Sequence, residues 1–440
     1  MAILDLMEYA GIFIEILSEL RDRQNPSFQW RNLHYEVLPK KAVILKGVRR
    51  SGKSTFLQQI EETERSQGRT CLSMNFVDER LAGLTAKELG GIFDAFYLVQ
   101  RDASPDAPLT LLLDEIQVIN GWEAFVDRQL RIKDRRVFIT GSSAKLLSGE
   151  IATTMRGRSL SYEVFPFNFG EYLDYLGLRP AKLPLGEEPK AAIKAQFYSY
   201  LFEGGFPETI GRSRTTQVQV LQEYFDVLLL RDVIERHNAS SPVVVKRFLS
   251  LMIHRFASTY TVNRFTEQLR SQGLGVSKSH VSEMIEWFHD AYAIFPLSMF
   301  SESLHKQNTN PKKIYAIDNG LINAMVAGRN KNEGRLLENL LFLELRRRYA
   351  DLYYYKTKDG YEVDFYSPRS ELLVQVSWSL HEGDTRKREL RALEQAMEEL
   401  KLERALLVTA DESSTFKVNA GTIQIVPAWQ CCLEEEGVFT

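Results

Sequence analysis

Apolar residues recur along the chain with different periods, and the changes of period mark out its elements. The first run, "GIFIEILSEL", is apolar at helical spacing, and Glu8, Glu15 and Glu19 interrupt it. That pattern predicts an amphipathic helix packed on the module that follows. Short apolar runs come next: "KAVILKG", "CLSMNF", "LTLLLD", "RRVFIT" and "LSYEVF". They have the length of strands, and "LTLLLD" suits a strand buried on both faces of a parallel sheet. The helical "FLQQIEETERSQ" follows the first of them. From residue 166 to about residue 238 the pattern turns mostly helical, with the turn-rich "EGGFPE" in its middle. Val262, Phe265 and Leu269 mark one further helix face, and Val281, Met284, Ile285 and Phe288 mark another. The strand signal "AYAIFPLSMF" and the polar stretch "SLHKQNTNPKK" come after them. The remainder reads as helix ("GRLLENLLFLELRRRY"), three short strands ("LYYYK", "EVDFY", "LLVQVS"), helix ("TRKRELRALEQAMEELK") and strand ("RALLVT").

At 440 residues such a chain is too long for one core, so several domains are expected. A net charge of −3 supplies no global basic field, and nucleic acid would have to be met by local patches. Cys71, Cys431 and Cys432 form neither a disulfide framework nor a zinc spacing, which fits a reducing cytoplasm. The first apolar run is too short to span a bilayer and its polar face is acidic, so no membrane role is expected.

The candidate chemistry lies where strand signals end. "GVRRSGKST" supplies Gly47, Val48, Arg49, Arg50, Ser51, Gly52, Lys53, Ser54 and Thr55, matching G-x-x-x-x-G-K-[ST] between a strand and a helix. Backbone N–H groups of such a loop wrap phosphate, and its glycines allow close approach. Lys53 brings a point charge to the terminal phosphates, and Ser54 brings a hydroxyl to Mg²⁺. Asp114 ends the "LTLLLD" strand as a second candidate metal group, and Glu115 is the candidate base that orients water. Ser142 and Ser143 end the next strand, either sensing the terminal phosphate or capping a helix. Arg156 and Arg158 precede "LSYEVF", and Arg158 is favoured as an arginine finger given to a neighbouring subunit.

The order of phosphate loop, "DEIQ…W", "TGSS" and "MRGR…EVFPFNFGEYL" resembles the prokaryotic AAA-type ATPases that carry a C-terminal domain of unknown function. The resemblance continues through "YLFEGGFPETI", "LLLRDVIERHN", "KIYAIDNGLINAM", "LLENLLFLEL" and "EVDF", and so covers nearly the whole chain. It implies an ATP-hydrolysing AAA+ core with arginine fingers acting in trans. Arg231 and Asp232 fall in one of these motifs and read most simply as an internal ion pair.

Two further modules follow. Helix, turn at Gly273 and Gly275, helix and strand is a winged-helix layout. The second helix would show Ser277, Lys278, Ser279 and His280 to DNA, although Glu283 opposes this and winged helices also bind proteins. The last module resembles the restriction-endonuclease-like fold. Its metal set would comprise Glu338, Asp364 and a carboxylate–x–lysine pair, but the pair reads Gln375, Val376, Ser377. Neutral glutamine is a poor Mg²⁺ ligand and serine has no charge, so cleavage is not expected. DNA contact there would fall to Arg346, Arg347 and Arg348, with Lys356, Lys358, Arg386, Lys387 and Arg388.

The fold class expected is α/β. An N-terminal helical segment spans 1–35, a P-loop AAA+ core 36–165 and a helical lid 166–240. A winged helix spans 241–305 and an inactive nuclease-like domain 306–440. The function expected is Mg²⁺-dependent ATP hydrolysis by a homo-oligomer, a hexameric ring, coupled to remodelling or moving along DNA, including branched DNA. The alternatives are an ATP-dependent scaffold recognising a protein partner in signalling or defence, and an active nuclease with a displaced lysine.

Overall fold

The computed structural model describes residues 2–22, 28–142, 155, 157–180, 185–326 and 332–433. The chain divides into two units, residues 1–165 and 166–440. The stretches 1–35 and 36–165 thus share one unit.

In the first unit β1 (Ala42–Gly47), β2 (Thr70–Asn75), β3 (Leu109–Asp114), β4 (Arg135–Ser142) and β5 (Ser159–Glu163) form one sheet in the order β2-β3-β4-β1-β5. Every pairing is parallel. All six residues of β3 are buried, as a central parallel strand covered on both faces requires. Helix α1 (Ala2–Asp22) puts Phe13, Ile16 and Leu17 into the same core as Ile92 and Phe96 of α3 (Gly91–Val99). Its polar side binds Arg80 through Glu15 (3.3 Å) and Glu19 (2.8 Å). Helix α2 (Lys53–Ser66) follows β1, and α4 (Trp122–Gln129) precedes β4.

The second unit begins with helices α5 (Phe169–Leu176), α6 (Glu187–Glu203) and α7 (Arg214–Val227), which runs into a π-helical turn at Leu228–Ile234. There Arg231 pairs with Glu235 at 3.1 Å. A three-helix unit follows: α8 (Pro242–His254), β6 (Ser258–Tyr260), α9 (Val262–Ser271), α10 (Lys278–Asp290), β7 (Ile294–Leu297) and β8 (Lys312–Ala316). Its sheet order is β6-β8-β7, all antiparallel. The central strand β8 therefore comes from beyond residue 305, after the short helix α11 (Leu304–Thr309).

Helices α12 (Asn319–Met325) and α13 (Glu333–Arg348) lead to a six-stranded mixed sheet. Its order is β13-β14-β12-β11-β10-β9. The strands are β9 (Tyr353–Lys356), β10 (Glu362–Ser367), β11 (Leu372–Val376), β12 (Arg404–Thr409), β13 (Ser414–Val418) and β14 (Gly421–Pro427). Helix α14 (Gly383–Leu400) covers it with Leu393, Ala396 and Met397, and α15 (Ala428–Leu433) closes the described chain.

Candidate nucleotide site and a second charged cluster

Strand β1 delivers the chain into the loop at Gly47, and Gly52 caps α2 with φ 95°. A side chain at Gly47 would meet the Val164 carbonyl oxygen at 2.2 Å, so the first glycine is required by close approach. Lys53 is buried, and its Nζ donates to the carbonyls of Gly47 (3.0 Å) and Val48 (2.9 Å). The ammonium is thus held on the loop it serves. Ser51 is fully buried and its Oγ has no partner. Arg49 and Arg50 are exposed, and Arg50 takes φ 65°.

The parallel register gathers the other groups at this end of the sheet. Gly47 pairs with Ser142, and Asp114 pairs with Thr140. The Asp114 carboxylate accepts from the Thr140 hydroxyl, linking β3 to β4. Burial pushes the Asp114 carboxyl above the ordinary aspartate range, against the opposing pull of the Thr140 and Ser54 hydroxyls and of Lys53. Glu115 turns the chain at φ 56°, donates its N–H to the Thr140 carbonyl (3.1 Å) and accepts from Gln117 Nε2. Ser143 and Arg156 lie outside the described residues, as does the Ser142 side chain.

Arg158 lies at the opposite end of the sheet. Its carbonyl accepts from Ala42 N–H at 2.9 Å, where β1 begins. Its guanidinium pairs with Asp127 of α4 at 2.6 Å. Arg131 first, and then Arg158, hold the Asp127 carboxyl below the usual range.

Sequence reasoning missed Arg31. It belongs to an irregular segment, yet Nη1 donates to Ser51 O and Nη2 to Phe165 O, both at 2.8 Å. It ties the phosphate-type loop to the chain leaving β5. Thr140 and Gln117 were also missed. Both follow from register and turn geometry, which a motif does not encode.

In the second unit, Glu338 and Asp364 are brought together, but around a lysine. Lys313 of β8 is buried and its Nζ lies 2.7 Å from Asp364, 2.8 Å from Glu362 and 3.0 Å from Glu338. Burial disfavours that charge, but Asp364, Glu338 and Glu362 outweigh it and hold the ammonium well above the lysine range. Burial, with Asp364 nearby, raises the Glu338 carboxyl to about 7. Tyr315 donates to Glu338 at 2.7 Å, and Val376 N–H donates to the other Asp364 oxygen at 2.9 Å. Gln375 accepts from Asp364 N–H (3.0 Å) and donates to Glu389 (2.7 Å), so it is a structural bridge. Ser377 Oγ donates to the Ser379 carbonyl at 3.2 Å.

The expected DNA-facing residues divide. Ser277 caps α10, and Ser277, Lys278 and Ser279 are exposed. His280 is half-buried, 3.4 Å from Glu283 and edge-on to Trp287. The arginines of α13 do not form the expected surface. Arg347 pairs with Glu344 (2.7 Å) and donates to the Pro166 carbonyl (3.0 Å). Arg346 lies over the Phe295 ring at 4.7 Å, and Arg348 lies 3.9 Å from Glu344. A buried carboxylate and an aromatic face draw them inward. Lys356, Lys358, Lys387 and Arg388 are exposed, while Arg386 covers Phe416 at 4.5 Å.

A parallel sheet in the order β2-β3-β4-β1-β5, a G-x-x-x-x-G-K-S loop after β1 and an acidic pair after β3 define a P-loop ATPase core of the AAA type. Residues 39–173 match the family model described as AAA domain. Residues 194–333 and 333–431 match two domains of unknown function (DUF8612 and DUF4143). An uncharacterized protein of Methanocaldococcus jannaschii is 35% identical over 421 residues, 92% of this chain and 90% of its own length. An uncharacterized protein of Haemophilus influenzae is 26% identical over 345 residues, 77% of this chain and 83% of its own. The chain belongs to this family of AAA-type P-loop ATPases with C-terminal domains of unknown function. Among solved structures, a Walker-type ATPase of Pyrococcus abyssi is 15% identical with a TM-score of 0.43, covering 64% of this chain and 90% of that one. AMPPCP-bound DnaA of Aquifex aeolicus is 14% identical with a TM-score of 0.26, covering 62% and 86%. No helix among the described residues is long and apolar enough to cross a membrane.

Proposed function

We propose that the protein is an oligomeric ATP hydrolase that uses Mg²⁺ and couples hydrolysis to work on DNA. The observation that carries the hydrolase reading is the Lys53 ammonium held on the Gly47 and Val48 carbonyls of the loop, with the Ser54 hydroxyl and the buried Asp114 carboxylate at the same end of the sheet. A hydroxyl and a carboxylate on adjoining elements suit Mg²⁺, which is bound through few protein groups and keeps several waters. The orphaned Ser51 hydroxyl and the wrapped loop suit phosphate oxygens. When ATP and Mg²⁺ are bound, they supply the leaving group and neutralise its charge. The protein's part is positional: N–H groups of residues 48–55 fix the phosphates, and Lys53 exchanges its carbonyl partners for phosphate oxygens. Glu115 orients the attacking water. Arg158 is read as the finger for a neighbouring subunit, because its strand register sets it at the far end from its own loop. Purified protein should hydrolyse ATP, and Lys53→Ala should abolish hydrolysis; retained activity refutes the assignment.

The DNA reading rests on the helix–strand–helix–helix–strand order of residues 242–297, completed after the short helix α11 by β8, a winged-helix order, with Ser277, Lys278 and Ser279 exposed at the start of α10. A salt-dependent gel shift with duplex, single-stranded and four-way-junction DNA tests it. The second reading, an ATP-dependent scaffold for a protein partner, is favoured by Glu283, Glu286 and Asp290 on the same helix. Absence of binding to any of the three DNAs selects that reading. A finger in trans requires a homo-oligomer, and a closed ring gives every subunit such a neighbour.

A further inference from the structure

The last module keeps two acids of a nuclease-type set and lacks the motif lysine, yet a lysine stands among the acids. It reaches them from the sheet of the three-helix unit: Lys313 is on β8, whereas Glu338 is on α13 and Glu362 and Asp364 are on β10. Three carboxylates converge on one buried Nζ at 2.7–3.0 Å. No group of three or more His, Cys, Asp or Glu among the described residues is arranged to hold a metal ion.

We propose that the Lys313 ammonium is a resident cation. It takes the position a divalent ion would take among Glu338, Glu362 and Asp364, and it locks the three-stranded sheet to the nuclease-like sheet. The geometry supports a replacement rather than a vacancy. The Nζ–oxygen distances exceed Ca²⁺–oxygen distances of about 2.3–2.6 Å by only a few tenths of an ångström. Asp364 spends one oxygen on Lys313 and the other on Val376 N–H, and Glu338 is shared between Lys313 and Tyr315. The charged lysine already supplies the positive charge that a divalent ion would bring to these carboxylates. Binding by this unit would therefore be independent of divalent cations, and no metal-activated water would form beside Asp364. Mg²⁺, which demands distances of about 2.0–2.1 Å, would fit the emptied position less well than Ca²⁺.

The test uses the full chain without nucleotide, carrying Asp114→Asn so that the first unit loses its candidate metal carboxylate. Thermal unfolding is followed in EDTA and in Ca²⁺ or Mn²⁺, and bound Mn²⁺ is counted by electron paramagnetic resonance. The parent should unfold at the same temperature in EDTA and in Ca²⁺, and should bind no Mn²⁺ at this position. Lys313→Met should unfold earlier in EDTA by more than about 5 °C, because three acids lose their counter-charge. Ca²⁺ should restore it, and one Mn²⁺ should bind per chain. Adding Glu338→Gln and Asp364→Asn should remove the metal response and recover stability without metal. Stoichiometric Mn²⁺ binding by the parent that Asp364→Asn abolishes overturns the proposal. So does a folded Lys313→Met chain that ignores both cations. If Lys313→Met fails to fold in EDTA, it should refold in Ca²⁺; failure there, while the neutralised variant folds, also overturns it.

Discussion

Arg158→Ala separates catalysis from simple stability. The β1–β5 register pairs Ala42 with Ser159 and Lys46 with Glu163, so Arg158 stands about five residues from the level of the phosphate loop. At about 3.3 Å per residue that is roughly 16 Å, beyond the reach of an arginine toward its own subunit's nucleotide. Two roles remain. In the first, Arg158 only pairs with Asp127. Its side chain is 36% exposed and that of Asp127 is 22% exposed, so the pair is worth at most about 1 kcal/mol. Removing it would then leave hydrolysis nearly unchanged. In the second, Arg158 leaves Asp127 for a neighbour's terminal phosphate. A finger is worth about 10³–10⁵-fold in rate, or about 4–7 kcal/mol, which easily exceeds the cost of leaving Asp127.

The assay is steady-state ATP hydrolysis by subunits mixed in varying ratio. Arg158→Ala subunits keep an intact loop, and Glu115→Gln subunits keep an intact arginine. Neither should turn over alone. In a random equal mixture, about half the subunits carry a working loop and about half of those face a working arginine. About one quarter of wild-type activity should therefore return, with a maximum near equal proportions. Full activity of Arg158→Ala alone, or no recovery at any ratio, refutes the reasoning.

Other outcomes follow from particular contacts. Gly47→Ala should destabilise the first unit by about 1–3 kcal/mol and abolish nucleotide binding, because the added methyl meets the Val164 carbonyl at 2.2 Å; nucleotide titration and thermal unfolding check this. Arg347→Ala should cost the second unit about 3–5 kcal/mol by stranding buried Glu344. Lys278→Ala should leave stability within about 0.5 kcal/mol and lower the salt dependence of DNA binding by about one ion. Burial pushes the Cys71 thiol up to about 12, so its reactive thiolate is suppressed at all pH values well below that. Native protein at pH 8 should resist thiol reagents at Cys71, and denatured protein should titrate three thiols.

The first unit was legible because a central parallel strand must be apolar on both faces. "LTLLLD" carries that requirement openly, and the loop after β1 is punctuated by glycines that packing and turning demand. Arg31, Thr140 and Gln117 were not legible. Their roles arise where an irregular segment, a neighbouring strand and a tight turn meet the loop and the acidic pair, and no local period records such meetings. The triple arginine of α13 misled for a related reason. A basic run at a helix end usually faces water, but Glu344 lies one turn earlier and Phe295 lies alongside. The stretch "SLHKQNTNPKK" was read as a polar divider, although its last two residues begin β8, the central strand of a sheet.

That misreading explains the fate of the missing motif lysine. A buried lysine can occupy a strand only if partners balance it, and those partners lie 25 and 51 residues away in the chain. Local sequence therefore registers two adjacent lysines as polarity and hides a strand. Acids that converge in a buried position cost several kcal/mol each unless a cation joins them. Glu338 and Asp364 thus predict that a positive charge stands between them, but they do not specify its identity. A metal ion would make the cluster catalytic, whereas an ammonium on a neighbouring sheet makes it a joint. The acids alone do not name the cation between them; the strand that delivers Lys313 places an ammonium there.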